Sequence, residues 1–395
     1  MEKTTMAQAL PDKNPANIED QQNAIMMDKG YAHASDIAEG DNKGPAISYY
    51  EFWPTWLFYF PMKLYGLYLA IKHRGLTLPT ITDPLFDVGG FHGESKAQIF
   101  TQIPESLYSQ FAYTLSVDVK NGEPNNHILE TALKGIEEQN WQLPIIAKPD
   151  IGLRGMGVQR IFTKEDLLSY IQAFPKNERF VLQDMYDFPL EVGLFYYRRP
   201  DEDKGHIFSI TTKDFSYVVG DGQSTLKSLI ENHRRYGRIK HVFFPRHADK
   251  LDMVLNEGER YRIAFAGSHS RGTIFRDGNH LITPKMEAAW DNVAKQIPEF
   301  YFGRFDIRLN DYKDLETLEN IKIVEVNGAG AEATHIWDPK TSIWTAYKVL
   351  MKQYRIMFEI GAANKKRGFK PMPLKMLLAR MDRAEALSNQ YPQTH

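Results

Sequence analysis

Two runs of alternating side chains constrain this chain most: Gly303-Arg304-Phe305-Asp306-Ile307-Arg308-Leu309 and Ile321-Lys322-Ile323-Val324-Glu325-Val326-Asn327-Gly328-Ala329-Gly330. Successive side chains on a strand point to opposite faces, so Phe305, Ile307 and Leu309 share one face and Arg304, Asp306 and Arg308 the other. Glu325 and Asn327 likewise share a face, roughly 6.6 Å apart along their strand. The polar segment 310–320 between the runs is expected to be a hairpin connection. If the strands pair antiparallel with their carboxylates on one side, Asp306, Glu325 and Asn327 form an all-oxygen cluster. Hard oxygen ligands suit Mg²⁺, which binds together with the phosphates of a nucleotide, and do not suit zinc. A surface hairpin whose acids and arginines pair in solvent would show the same alternation, so a phosphate cradle elsewhere has to decide.

The strongest candidate cradle is the apolar strand 143–150 carrying Lys148, followed by Gly152, Gly155 and Gly157. Glycines let a loop fold closely over a polyphosphate while backbone amides and the lysine ammonium neutralise its charge. A short strand 158–162 follows, then a helix opened by Thr163 and Asp166 in capping-box spacing. Strand 179–185 ends in Gln183, Asp184 and Met185, where backbone groups are placed to read an adenine edge, and Glu191 opens the next strand, where it could take ribose hydroxyls. A second glycine-rich turn, Val88-Gly89-Gly90-Phe91-His92-Gly93-Glu94-Ser95-Lys96, runs into a helix expected over 94–102. It lacks the Gly-Lys-Ser/Thr order of a P-loop, so Ser95 and Lys96 read either as a plain cap or as a phosphate contact at a helix start.

A net charge of −2 argues against a broad nucleic-acid surface, and the absence of cysteine excludes disulfides and thiolate metal sites and fits the cytoplasm. Residues 1–46 are polar and expected to be a flexible arm. The aromatic run from Phe52 to Ile71 has the length of a membrane span, yet Pro54, Pro61 and Lys63 make it a poor one. Buried helices of an N-terminal domain are favoured over a membrane-surface or partner-binding patch. Arg262 and Arg271, in a basic region over 256–284, are candidates for gripping an acyl phosphate or a carboxylate. Glu332, Thr334 and His335 follow the acid strand and are candidates for an acceptor pocket, and 373–389 is expected to be an amphipathic helix.

The ordered set of strand lysine, glycine loop, linker strand, acidic residue and terminal Asp…Glu-x-Asn resembles the ATP-grasp superfamily over roughly residues 110–350, in particular carboxylate–amine ligases of the D-alanine–D-alanine ligase and cyanophycin synthetase kinds. The resemblance implies an α+β ATP-grasp fold, with two α+β subdomains gripping ATP between antiparallel sheets beside an N-terminal α/β domain. Its expected divisions are 1–46, 47–125, 126–350 and a helical extension 351–395. It implies Lys148 as a phosphate lysine, Gly152, Gly155 and Gly157 as the loop over the phosphates, Gln183, Asp184 and Met185 as the adenine linker, and Glu191 as the ribose acid. Asp306, Glu325 and Asn327 would hold Mg²⁺, or Mn²⁺ in its place, while Arg304 and Arg271 would act beside the reacting groups. The implied reaction activates a small-molecule carboxylate as an acyl phosphate and passes it to an amine. Peripheral membrane contact, self-association, an adaptor role and phosphotransfer to another substrate stay open. The linker and the turn after Asn327 depart from D-alanine ligases, which puts D-alanine as substrate in doubt. A second phosphate lysine is not evident, with Lys120 the only candidate offered. The expectation on which the rest depends is that Lys148 faces the acid trio across one cleft.

Overall fold

The computed structural model describes residues 46–392 and 394, except 153, 154, 266, 268, 270 and 271. The arm expected over 1–46 therefore lies almost wholly outside the described residues, and Arg271 lies outside them too. Among the described residues the strands pair antiparallel in three sheets. A four-stranded sheet has the order β1 (Thr114–Val119), β4 (Glu178–Asp184), β2 (Ile145–Pro149), β3 (Gln159–Ile161). A five-stranded sheet has the order β11 (Ile321–Asn327), β10 (Phe302–Leu309), β5 (Leu190–Tyr197), β6 (His206–Asp214), β9 (Ile274–Asp277). Strands β7 (Tyr217–Val219) and β8 (Arg260–Arg262) form a small third sheet.

The alternation at 303–309 produces what it predicts. Phe305, Ile307 and Leu309 enter one core with Trp290 and Val293 of helix Pro284–Gln296, and the Trp290 indole donates to the Leu315 carbonyl at 2.9 Å. The acid strand pairs with β10 in the register Asp306 to Glu325 and Arg304 to Asn327. The connection between them holds one short helical turn, Asp314–Thr317, in place of a plain hairpin loop. Under the four-stranded sheet lie helices α3 (Asn125–Glu138) and α4 (Lys164–Ala173), after α1 (Thr55–Lys72) and α2 (Lys96–Phe100) in the chain. The capping box at α4 is present: Asp166 N–H donates to Thr163 Oγ1 at 3.1 Å, and Thr163 N–H to Asp166 Oδ2 at 2.9 Å.

Residues 47–112 do not build a sheet of their own. Helix α1 buries Phe58, Met62 and Leu69, and the region packs on the long helix Ile343–Lys366. Strand β1 belongs to the four-stranded sheet, so the expected boundary at 125 falls beyond one of its members. The expected boundary at 351 falls inside helix Ile343–Lys366, and the amphipathic helix expected over 373–389 is found as Leu374–Ser388. No helix among the described residues is long and apolar enough to cross a membrane.

Candidate functional site

A cavity of about 560 Å³ lies where the two larger sheets meet. Strand β2 delivers Lys148 into it, and strand β11 delivers Glu325 and Asn327. The Lys148 ammonium donates to the Val324 carbonyl at 3.0 Å, so the lysine of one sheet rests on the acid strand of the other. Burial pushes its pKa down to about 8, against the opposing attraction of Glu325.

The second glycine-rich turn brings a second lysine to the same place. Gly89 and Gly90 accept backbone hydrogen bonds from Ala329 and Gly330, at 3.1 and 2.7 Å, so the turn docks on the end of the acid strand. Ser95 caps α2, accepting from Gln98 N–H at 3.1 Å, and donates to the Asp150 carboxylate; Asp150 also accepts from Ala97 N–H at 2.8 Å. Lys96 consequently stands 3.6 Å from Glu325 in the cavity wall. Lys120 is exposed at the far end of β1 and takes no part. Ser95 is thus the helix cap, and Lys96 a cation in the cavity wall.

Deeper in the wall lies an ion network that the sequence did not announce. Lys213, on β6, donates to Glu191 at 2.6 Å and to Asp306 at 2.9 Å, with all three side chains buried. Arg304 grips Asp306 with two bonds, 3.0 Å from Nε and 2.9 Å from a terminal nitrogen, and Arg308 Nε stands 2.8 Å from Glu191. Burial works to raise both carboxyls, but Arg304 and Lys213 hold Asp306 well below the usual carboxylate range, and Lys213 and Arg308 hold Glu191 low. Gly193, paired with Asp306 across β5 and β10, makes room: a Cβ there would meet Arg304 Cδ at 2.9 Å. Glu191 therefore enters the cavity wall as an ion-paired group, with Lys213 on one oxygen and Arg308 on the other.

Of the glycine loop's described residues, Gly152, Gly155 and Met156 line the cavity. Gly157 instead packs inward, with φ +73° and Pro149 Cγ 2.6 Å from where a Cβ would stand. The chain's last described residues hold this loop. Tyr391 donates to the Ile151 carbonyl at 2.6 Å, Gly157 N–H donates to Thr394 Oγ1 at 3.0 Å, and Thr394 donates to the Gly155 carbonyl at 3.0 Å. Tyr391→Phe combined with Thr394→Ala is expected to speed amide exchange at Gly155 and Gly157 roughly fivefold or more, at about 1 kcal/mol per lost bond. Unchanged exchange would show that the tail does not restrain the loop.

One sheet thus supplies a lysine strand and a glycine loop, the other an acid hairpin, and both close on a single cavity. The lysine strand and the acid hairpin thus face one cleft, as the sequence led us to expect. At one end of the cavity, Ile146, Met185 and Phe265 offer apolar walls beside the end of β4, while the Gln183 amide is occupied by Thr114 Oγ1 at 2.8 Å. Asp184 also lines this end. At the other end stand Phe52, Trp53, Phe58 and Tyr59, contributed by the aromatic run, opposite Glu332 and Thr334. Glu332 accepts from the Tyr59 hydroxyl at 2.6 Å and the Trp337 indole at 2.7 Å. His335 is buried outside the cavity lining. Arg262 stacks over Phe215, 4.8 Å from the ring centre, and is not part of the lining.

The trio has the oxygen chemistry of a hard-cation site, with Glu325 as its more open carboxylate, since both Asp306 oxygens already accept from Lys213, Arg304 and Asn327. Asp306 and Glu325 oppose each other in register, and the Asn327 amide nitrogen donates to Asp306 Oδ2 at 3.1 Å, which leaves its carbonyl oxygen as the free end of the amide. The fit rests on two carboxylates and an amide; no group of three or more His, Cys, Asp or Glu suited to a metal occurs among the described residues.

No protein-family model matches the sequence, and no curated protein matches it either. Among solved structures the chain is similar to a bifunctional glutathione synthetase from Pasteurella multocida, at 15% identity over 65% of this chain and 36% of that one, TM-score 0.33. It is similar also to the VanG D-Ala:D-Ser ligase from Enterococcus faecalis, at 14% identity over 68% and 64%, TM-score 0.37. A third similarity is to D-alanine–D-alanine ligase from Bacillus anthracis, at 13% identity over 69% and 68%, TM-score 0.39. The chain spans about a third of the length of the first and just under two thirds of the second.

Proposed function

We propose that this protein is an ATP-dependent ligase that joins a small-molecule carboxylate to an amine through an acyl phosphate. The observation that carries the reading is the contact of Lys148 with the acid strand, which puts an ammonium, a second lysine and two carboxylates around one cavity. A triphosphate laid there meets Lys96 and Lys148 from one side and the glycine loop from above. Asp306, Glu325 and Asn327 would hold Mg²⁺, which supplies charge neutralisation to the phosphates when bound.

The substrate carboxylate oxygen attacks the γ-phosphorus, the bond to the β-phosphate oxygen breaks, and ADP leaves. The amine nitrogen then attacks the acyl carbon, phosphate departs, and the nitrogen loses a proton. Lys96 and Lys148 stabilise the charge that develops, and the covering loop keeps water from the acyl phosphate. No side-chain nucleophile is required. The Glu332 carboxylate accepts from two neutral donors, Tyr59 and Trp337, while Arg304 binds its backbone carbonyl at 3.1 Å, and it is suited to draw in the incoming amine and take the proton it sheds before the nitrogen attacks.

Glu325→Gln is the clean test. With its side chain about one third exposed and paired to Lys96 at 3.6 Å, Glu325 is less tightly built into the wall than Asp306, so the substitution is expected to leave folding intact and to lower ADP release at least 100-fold. The assay mixes the protein with ATP, Mg²⁺ and a pool of amino acids, and product mass identifies the bond formed. ADP release that survives Glu325→Gln at the wild-type rate removes the metal assignment. A phosphorylated product with no amide would convert the reading to phosphotransfer.

A further inference from the structure

Helix α1 is apolar on all sides yet only half covered. Phe58, Met62 and Leu69 are buried against the body, while Trp56, Phe60, Leu64, Leu67, Tyr68 and Ile71 face solvent at exposures from 53% to 71%. A helix with this composition is normally enclosed or set in lipid, so the outer face has a partner. The spacing 56, 60, 64, 67, 71 draws one stripe along the helix, about 23 Å long at 1.5 Å per residue. Lys63 is the one charged side chain within the helix before its terminal Lys72. The stripe offers almost no hydrogen-bonding groups, whereas a protein interface carries about one hydrogen bond per 100–200 Å².

Two further features select the occupant. At the C-terminal end of the stripe Lys72, Arg74, Lys365 and Lys366 cluster in solvent, with Lys365 donating to the Arg74 carbonyl at 3.2 Å and Lys72 and Lys366 both acting on His73. At the N-terminal end Trp344 is 74% exposed, three residues before Tyr347, whose hydroxyl donates to the Phe58 carbonyl at 3.0 Å. Tryptophan and tyrosine at the rim, aliphatic and phenyl groups along the stripe and lysines at its edge match the depth profile of a lipid interface. Pro61 within the helix and the buried opposite face mean that it lies along the surface and does not cross it.

We infer that the outer face of α1 docks this protein peripherally on an anionic lipid bilayer. The residues just before and at the start of α1, Phe52, Trp53, Phe58 and Tyr59, line the Glu332 end of the cavity, so docking sets that end of the cleft beside the lipid surface. The inference rests on α1 and its basic neighbours and stands or falls apart from the ligase reading.

The test is flotation of the full chain with vesicles of phosphatidylcholine, with and without phosphatidylglycerol. Binding is expected to be at least roughly tenfold tighter to the anionic vesicles and to weaken with added salt. Phe60→Ser with Ile71→Ser is expected to abolish it, and Lys72→Glu with Lys366→Glu to remove the preference for anionic lipid. These positions are exposed and outside the cavity, so the circular dichroism melt is expected to stay unchanged. Failure to bind either vesicle, or binding indifferent to Phe60→Ser with Ile71→Ser, overturns the inference. So does a wild-type dimer in sedimentation that the same double variant turns monomeric without any vesicle binding, since a second copy would then cover the stripe.

Discussion

Replacing Lys213 by methionine is expected to lower the unfolding free energy by about 3–5 kcal/mol, and to remove nucleotide turnover with it. The ammonium sits between the Glu191 and Asp306 carboxylates at 2.6 and 2.9 Å with all three groups buried in the cavity wall, so its loss leaves two poorly hydrated anions short of a partner. Arg308 and Arg304 remain, which is why the loss is bounded and the fold is retained at neutral pH in the cold. Urea denaturation followed by tryptophan emission reads the change directly. A midpoint equal to the wild type would mean that the triad contributes no net stability. The same geometry revises the simplest metal-site test, because Asp306→Asn would also weaken the bidentate hold of Arg304 and disturb packing along with ion binding.

Lys148 is expected to behave in the opposite sense. Its ammonium is buried with a carbonyl as its hydrogen-bond partner, and burial lowers its pKa to about 8 from an ordinary value of about 10.4. Between those values the unfolded chain carries more protons than the folded one, so the stability this group governs rises with pH over that window, and the cost of the buried charge is present in full below about pH 8. Lys148→Met should therefore not lower stability at neutral pH, while reducing kcat/KM for ATP by roughly 100- to 1000-fold. Triphosphate oxygens would supply the missing anion and draw a proton onto the lysine, so KM for ATP is expected to climb above about pH 8 in the wild type and to lose that limb in the variant. A KM that stays flat to about pH 10 in the wild type would show that Lys148 does not face the nucleotide.

Much of the site was legible before any coordinates because it is written in short-range patterns. A period of two fixes which side chains share a face, and it correctly placed Asp306, Glu325 and Asn327 beside one another once β10 and β11 paired. The capping box and the lysine at the end of an apolar strand are equally local and appear where their spacing put them, and Gly152 and Gly155 line the cavity, whereas Gly157 packs inward. The exposed half of α1 is less legible, since apolar residues on every side of a helix do not say which side will find a partner.

The remaining features came from contacts between residues far apart in the chain. Lys213 meets Glu191 across 22 positions and Asp306 across 93, and Tyr59 reaches Glu332 across 273. Lys96 became a cavity cation through two distant contacts, Gly89 and Gly90 with the turn after Asn327 and Ser95 with Asp150. By itself the sequence determined the strands, their faces and the chemical types of the groups on them, because alternation and capping act over a few residues. Only the tertiary structure decided which charges would neutralise one another and which would stay open to a ligand, because Coulomb energy depends on separation in space and on burial, and neither is encoded in spacing along one strand.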